Sequence, residues 1–245
     1  MSVQDEIKLN LQNLFDNSFK IIQAITFEKM VDNVVKELSE IYVINPDKTI
    51  TKGLGKEEIE KINAIRKNRS LKEAFEAIKG MDYNEKEMVK SFKNDILNAI
   101  ESIKKNINAN FKNQIIFLEH NYEPYAYFCG FGIGEYPILK KPEYFDFNYK
   151  EELYNGIGKL DYSKLWKDKT FIENTLFNID TYGEISSSNL FKNTIATIKY
   201  KTYLLLNQSF NELPVDVFDG IPIEKPLMIY GNEHDCEPIN IFCYN

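Results

Sequence analysis

The sequence lacks the features that identify membrane proteins and secreted proteins. Its 245 residues contain no uncharged apolar run of about 18 residues, the length that a membrane-spanning helix needs. The first residues, Met1 to Glu6, have neither the basic start nor the apolar core of a signal peptide. The 3 cysteines include no Cys-x-x-Cys pair, so a disulfide framework is not expected. We therefore predict a cytoplasmic protein with free thiols and no membrane partner.

Arginine is scarce, and the common catalytic motifs are missing. The only arginines are Arg66 and Arg69, so the rest of the chain has no guanidinium group for phosphate recognition. Nucleic-acid binding is therefore disfavoured. No P-loop, nucleophile elbow or kinase motif occurs. The glycines at 130, 132 and 134 lack the spacing of a dinucleotide-binding loop, and they predict a bulged strand instead.

Charge divides the sequence into two parts. Residues 1–111 contain 18 Lys and Arg against 18 Asp and Glu, whereas residues 112–245 contain 12 against 19. The second part also holds 13 of the 15 tyrosines and the single tryptophan, Trp166. We expect a neutral part over 1–111 and an acidic, tyrosine-rich part over 112–245, either as two domains or as one continuous domain.

Apolar residues at helical spacing dominate the first part. They predict amphipathic helices whose apolar faces pack in the core. A short hairpin is expected over 41–52, around the turn signal Asn45-Pro46-Asp47. Capping patterns at Ser70 and Asn84 predict the starts of two of the helices. The predicted helices cover 7–24, 27–41, 59–65, 70–80 and 84–107.

Short β-rich runs and two helices follow in the second part. Ile115 to Leu118 and Tyr125 to Cys129 predict a hairpin, and Leu227 to Tyr230 predicts another strand. The sequence predicts an irregular loop over residues 136–168. It predicts a short helix that begins at Thr170 and a long helix over 189–212, which ends before Pro214. We therefore predict an α+β fold. Its helical N-terminal part packs on a C-terminal antiparallel or mixed sheet, whose faces are covered by helices near 88–109 and 189–212.

Two segments of the acidic part resemble each other. Each has an apolar strand, then Glu-His-(Asn/Asp)-x-Glu-Pro, then three residues, then Phe-Cys; they begin at Glu119 and at Glu233. Together they contain both histidines, His120 and His234. A search over all pairs of windows of this length would give roughly one such match by chance. Turn histidines held by local hydrogen bonds are therefore one interpretation, and chemistry at a shared site is another.

Two kinds of chemistry fit these residues. If the turns meet, His120 and His234 with Glu119 and Glu233 form a ligand set for zinc, and an open position would make the site that of a metal-dependent hydrolase. A thiol nucleophile is the other possibility, because Cys129 follows His120 by nine residues and Cys243 follows His234 by nine, a spacing that could bring a thiol and an imidazole together across a hairpin. Without such a site, no cofactor is expected.

The order of elements resembles bacterial immunity proteins that accompany polymorphic toxins. The resemblance covers the second part: a long helix leading into Ile115–His120, a tyrosine-rich acidic middle, another long helix, and the closing strand Leu227–Tyr230. It implies a stoichiometric binder that blocks the active site of a toxin. An acidic, arginine-free part would suit a basic toxin through electrostatic steering. From the charge distribution we predict that the partner-binding residues are Glu119, Glu123, Glu233, Asp235 and Glu237.

Overall fold

The computed structural model of the chain describes residues 2–40, 42–44, 50–52, 54–81, 83–107, 110, 112–121, 123–132, 134–135, 148–149, 151–180, 185, 188–233 and 238–245. Seven helices are formed within these residues: α1 (Val3–Gln23), α2 (Phe27–Ser39), α3 (Lys56–Lys67), α4 (Arg69–Gly80), α5 (Glu85–Asn106), α6 (Ser163–Ile179) and α7 (Asn189–Asn211). The strands in the same residues are β1 (Tyr42–Ile44), β2 (Ile50–Lys52), β3 (Asn113–His120), β4 (Tyr125–Phe131), β5 (Gly134–Glu135), β6 (Asn148–Tyr149), β7 (Glu152–Asp161), β8 (Ile223–Glu233) and β9 (Ile239–Tyr244).

The largest sheet in the described residues is mixed. Its strand order is β7-β4-β3-β8-β9, in which β3 and β8 are parallel and every other pair is antiparallel. The helices that precede it, α1 to α5, make up most of the first part of the chain. The predicted α+β fold, with a helical N-terminal part and a C-terminal sheet, is confirmed. No helix in the part of the chain that the structure describes is long and apolar enough to cross a membrane.

The chain forms two compact units, each built from separate stretches of sequence. Unit 1 comprises Met1–Leu14, Asn84–Leu165 and Tyr200–Asn245, and unit 2 comprises Phe15–Tyr83 and Trp166–Lys199. Unit 1 contains the five-stranded sheet, α5 and the second half of α7. By sequence, unit 1 has 14 Lys and Arg against 21 Asp and Glu, whereas unit 2 has 16 against 16. The whole net charge of −7 therefore belongs to unit 1.

Both predicted covering helices pack on the sheet of unit 1, on the same face. Helix α5 lies against β7, where Gly158 has a φ of +70° and an added Cβ would lie 2.9 Å from Ala99 Cα. In α7, Phe210 stacks on Phe242 of β9 with ring centroids 5.3 Å apart. Ser209 of α7 also donates to the Val89 carbonyl of α5, at 3.4 Å. The side chains between these helices and the sheet form one core layer of unit 1, and Phe117, Phe131 and Tyr230 are buried together on the opposite face.

Three local predictions about secondary structure are wrong. Helix α4 is capped by Asn68 and not by Ser70, because the Asn68 side chain accepts from Leu71 N at 3.0 Å. Residues 152–161 form the edge strand β7 where the sequence indicated a loop. Helix α6 begins at Ser163, seven residues before Thr170, directly after that strand. The predicted hairpin over 41–52 does form, as the antiparallel pair of β1 and β2.

Candidate functional site

The two Glu-His segments begin at the ends of neighbouring strands. Strands β3 and β8 run parallel, so their carboxyl ends lie at the same edge of the sheet of unit 1. In this pairing Glu119 lies opposite Asn232, and His120 lies opposite Glu233. The sheet therefore brings the starts of the two segments together, with an offset of one residue. His234, Asp235 and Glu237 lie outside the described residues.

His120 is a buried residue that is hydrogen-bonded inside unit 1. Only 2% of its surface is exposed. Its Nε2 lies 3.0 Å from the Tyr203 hydroxyl of α7, and its Nδ1 lies 3.3 Å from the backbone oxygen of Asn121. A neutral ring that donates from Nδ1 to this carbonyl accepts the Tyr203 proton at Nε2. This geometry supports the interpretation of His120 as a turn histidine held by local hydrogen bonds.

A glycine in β8 lets Tyr203 reach His120. A Cβ added at Gly231 would lie 2.6 Å from Cε1 of the Tyr203 ring, so any larger residue would displace that ring. The ring of Tyr162 packs edge-on against His120, with centroids 6.2 Å apart. Sequence reasoning missed both tyrosines, since they lie far from His120 along the chain. The single signal was the glycine inside an apolar strand, which often marks a close approach of another group.

The predicted pair of His120 and Cys129 is not formed. In the β3–β4 hairpin, Cys129 lies opposite Phe117 and His120 lies opposite Ala126. Because positions 117 and 120 point to opposite faces of β3, the thiol and the imidazole lie on opposite faces of the sheet. Burial, together with a smaller contribution from the nearby Glu119 carboxylate, raises the pKa of Cys129 to about 11. At neutral pH this thiol is protonated, which is the wrong state for a nucleophile.

The alternation of strand residues also separates two of the predicted zinc ligands. Glu119 and His120 are consecutive in β3, so their side chains point to opposite faces of the sheet and cannot share one ion. Within the described residues no group of three or more His, Cys, Asp and Glu side chains is arranged to hold a metal. The part of the prediction that involves His234 stays a prediction, because that residue is not described.

Carboxylates and tyrosines gather at the carboxyl end of β3 and the start of β4. Glu119 and Glu233 are half-buried on opposite faces of this sheet edge, because Glu233 pairs with His120, and Glu123 in the turn is exposed. Tyr127 lies opposite Glu119 and is 38% exposed. Tyr125, two residues earlier on the same face, has Lys159 Nζ 3.3 Å from its ring centroid. We call these five residues, Glu119, Glu123, Tyr125, Tyr127 and Glu233, the acidic strand end.

Relatives offer no further guide to this surface, because no protein family, characterised protein or solved structure matches the chain.

Proposed function

We propose that this is a cytoplasmic immunity-type protein that binds a basic protein toxin with fixed stoichiometry through the acidic strand end. The observation that carries the proposal is the location of the charge: unit 1 holds the whole net charge of −7. Glu119, Glu123 and Glu233 lie at one end of the sheet of that unit, and Glu119 shares a face with the partly exposed Tyr127 there. A basic partner would be steered toward such a surface.

The composition of the acidic strand end fits a protein interface. Tyrosine offers a large, rigid contact area with one polar group, and it is common among the residues that contribute most to binding. Tyr127 has this character, since it is partly exposed and its ring lies beside the Glu119 carboxylate across the β3–β4 pairing. Exposed carboxylates such as Glu123 would form the polar rim, which mainly affects the rate of association.

The chemistry of the nearby residues favours binding over catalysis. The His120 ring is hydrogen-bonded to the Tyr203 hydroxyl, and the Cys129 thiol donates to Asn155 Oδ1 at 3.1 Å. Both residues are buried. A general base or nucleophile has to reach the substrate, and neither group is exposed to do so.

The test begins with a partner captured from the native host and then purified. Its association rate is measured with the wild type and with two double variants, Glu123→Gln/Glu233→Gln and the control Asp216→Asn/Asp219→Asn. Both variants remove two charges from unit 1. The control aspartates are exposed and precede the first residue of β8, whereas Glu233 is the last residue of that strand. Two unit charges about 10 Å apart in water interact by about 0.4 kcal/mol. Losing two such charge–charge interactions should therefore slow association with the partner about fourfold at low salt.

The dependence of the association rate on salt concentration distinguishes electrostatic steering from other effects of the substitutions. At about 0.5 M salt the screening length is roughly 4 Å, so the difference between the first variant and the wild type should nearly vanish. The toxic activity of the partner should disappear at one equivalent of the wild-type protein. A partner that is acidic, a control variant as slow as the first, or turnover of a substrate that depends on His120 would overturn the proposal.

A further inference from the structure

Unit 2 contains a groove that the proposed function does not use. It lies between α4 and α6 and has a volume of about 600 Å³, which suits a small organic molecule. Its apolar surface includes Ala74, Ala77 and Phe171. Phe171 is 40% exposed and offers part of its ring to a ligand in the groove.

One charged group in this groove has no partner among the described residues. Asp168 lines the groove and is half-buried, yet it makes no hydrogen bond or ion pair in the part of the chain that the structure describes. Burial raises the pKa of Asp168, and the neighbouring Lys167, an exposed residue that also lines the groove, lowers it only in part. The other carboxylate of the groove differs, because Glu73 pairs with Arg69 at 2.8 Å. The folded protein therefore keeps a partly desolvated carboxylate beside an apolar surface.

Two hydroxyl groups near Asp168 also lack partners. Thr170 lines the groove, and its Oγ1 is buried with no hydrogen bond in the described residues. The Tyr83 hydroxyl is buried and likewise has no hydrogen bond there. Burial raises the pKa of Tyr83, and the charge of Asp168 adds to the effect, which places this hydroxyl within the field of the carboxylate. Buried polar groups are normally hydrogen-bonded, so the Thr170 hydroxyl in the groove and the Tyr83 hydroxyl outside its lining both call for an explanation.

We propose that the groove between α4 and α6 binds an organic cation, an ammonium ion attached to an aromatic or alkyl body. Asp168 would pair with the ammonium group, and a charge-assisted hydrogen bond would offset the desolvation of both ions. The apolar body would lie on Ala74 and Ala77 and against the exposed ring of Phe171. A ring face also attracts a nearby cation. This site is independent of the acidic strand end and of the toxin.

The probe for the test is 2-phenylethylammonium, and 2-phenylethanol is its neutral control. Binding is followed by calorimetry and by NMR shifts of the protein. We expect saturable binding of the ammonium ion and at least about tenfold weaker binding of the alcohol, because only the ion pairs with the carboxylate. Asp168→Asn should reduce the affinity for the ammonium ion by at least about tenfold. Glu76→Gln removes an equal charge from an exposed position of α4 that does not line the groove, and it should leave the affinity unchanged.

Stability separates a binding role from a structural one. Asp168 makes no hydrogen bond or ion pair with the described residues, and its charge is partly desolvated. Without ligand, the Asp168→Asn protein should therefore unfold at the same temperature as the wild type or at a higher one. A structural role would make the variant less stable. The proposal is overturned by no saturable binding, by equal binding of the alcohol, or by equal effects of Asp168→Asn and Glu76→Gln. Binding of a lysine-containing peptide without binding of the free amine would also overturn it.

Discussion

Replacing Tyr203 by phenylalanine tests whether His120 is a structural residue. The change removes only the hydroxyl that lies 3.0 Å from His120 Nε2, and the ring that packs over Gly231 remains. The two side chains are 1% and 2% exposed, so water cannot readily take the place of the hydroxyl. The perturbation therefore removes this buried hydrogen bond while it leaves the aromatic ring in place.

The expected loss follows from the burial of this hydrogen bond. A hydrogen bond in a folded protein contributes about 1 kcal/mol net, but removing one partner of a buried pair costs about 1–3 kcal/mol. We expect Tyr203→Phe to lower the free energy of unfolding by about 2 kcal/mol. Tyr244→Phe is the matched control, since it removes a tyrosine hydroxyl that donates to the Val215 carbonyl at 2.7 Å in an exposed setting. Water can replace that bond, so the control should lose less than about 0.5 kcal/mol.

The assay is guanidinium unfolding followed by circular dichroism. The two variants should share the wild-type dependence on denaturant and differ only in their midpoints. Combining Tyr203→Phe with His120→Ala completes a double-mutant cycle, which should give a coupling of about 0.5–3 kcal/mol. If Tyr203→Phe costs no more than Tyr244→Phe, the hydrogen bond does not hold His120 in place. The imidazole would then be available to a ligand, and the metal-dependent alternative would gain support.

Three further predictions test the backbone, a helix cap and a thiol. Gly158→Ala should destabilise the protein by at least about 1 kcal/mol more than Gly156→Ala in equilibrium unfolding, because both have positive φ but only Gly158 is crowded. Asn68→Ala should cost about 1 kcal/mol by the same measurement and Ser70→Ala only a few tenths; equal losses would contradict the cap assigned to α4. Alkylation of Cys129, resolved by peptide mass spectrometry, should rise with pH until about pH 11, where its thiol ionises. A rate that levels off near the ordinary thiol pKa would show that Cys129 is not buried as described.

The long helices could be predicted from the sequence because their signals are local. In α5 the predicted stripe of Met88, Phe92, Ile96, Ile100, Ile103 and Ile107 is buried from Met88 to Ile103, whereas Ile107, the C-cap residue, is only half-buried. Its start was also predictable, since Asn84 caps the helix by accepting from Glu87 N at 3.2 Å. Periodicity and caps depend only on residues a few positions apart, so neither requires knowledge of the rest of the fold.

Strand β7 shows why local signals fail elsewhere. Gly156 and Gly158 have positive φ and interrupt the strand, and its pairing with β4 shifts register at three points. The alternation of buried and exposed residues that marks a strand is lost as a result. Because the sequence does not reveal this strand, it predicts the start of the following helix at Thr170, seven residues too late. The information that defines β7 lies in its partners, Ala99 of α5 and the residues of β4.

The similarity of the two Glu-His segments has a structural explanation that needs no shared ion. Each segment connects one strand of the parallel pair to the antiparallel strand that follows it: β3 is connected to β4, and β8 to β9. Both need an apolar strand, a polar turn and an apolar return, and Cys129 and Cys243 occupy buried positions of the two returning strands. The register between β3 and β8 was not predictable, because it depends on contacts more than 100 residues apart. That register places Glu233 opposite His120, and the alternation of β3 turns Glu119 to the other face. Of the residues that suggest a metal centre, His120 is thus buried on the face that the helices cover, whereas Glu119 shares a face with the exposed Tyr127 and belongs to the surface that we propose for partner binding.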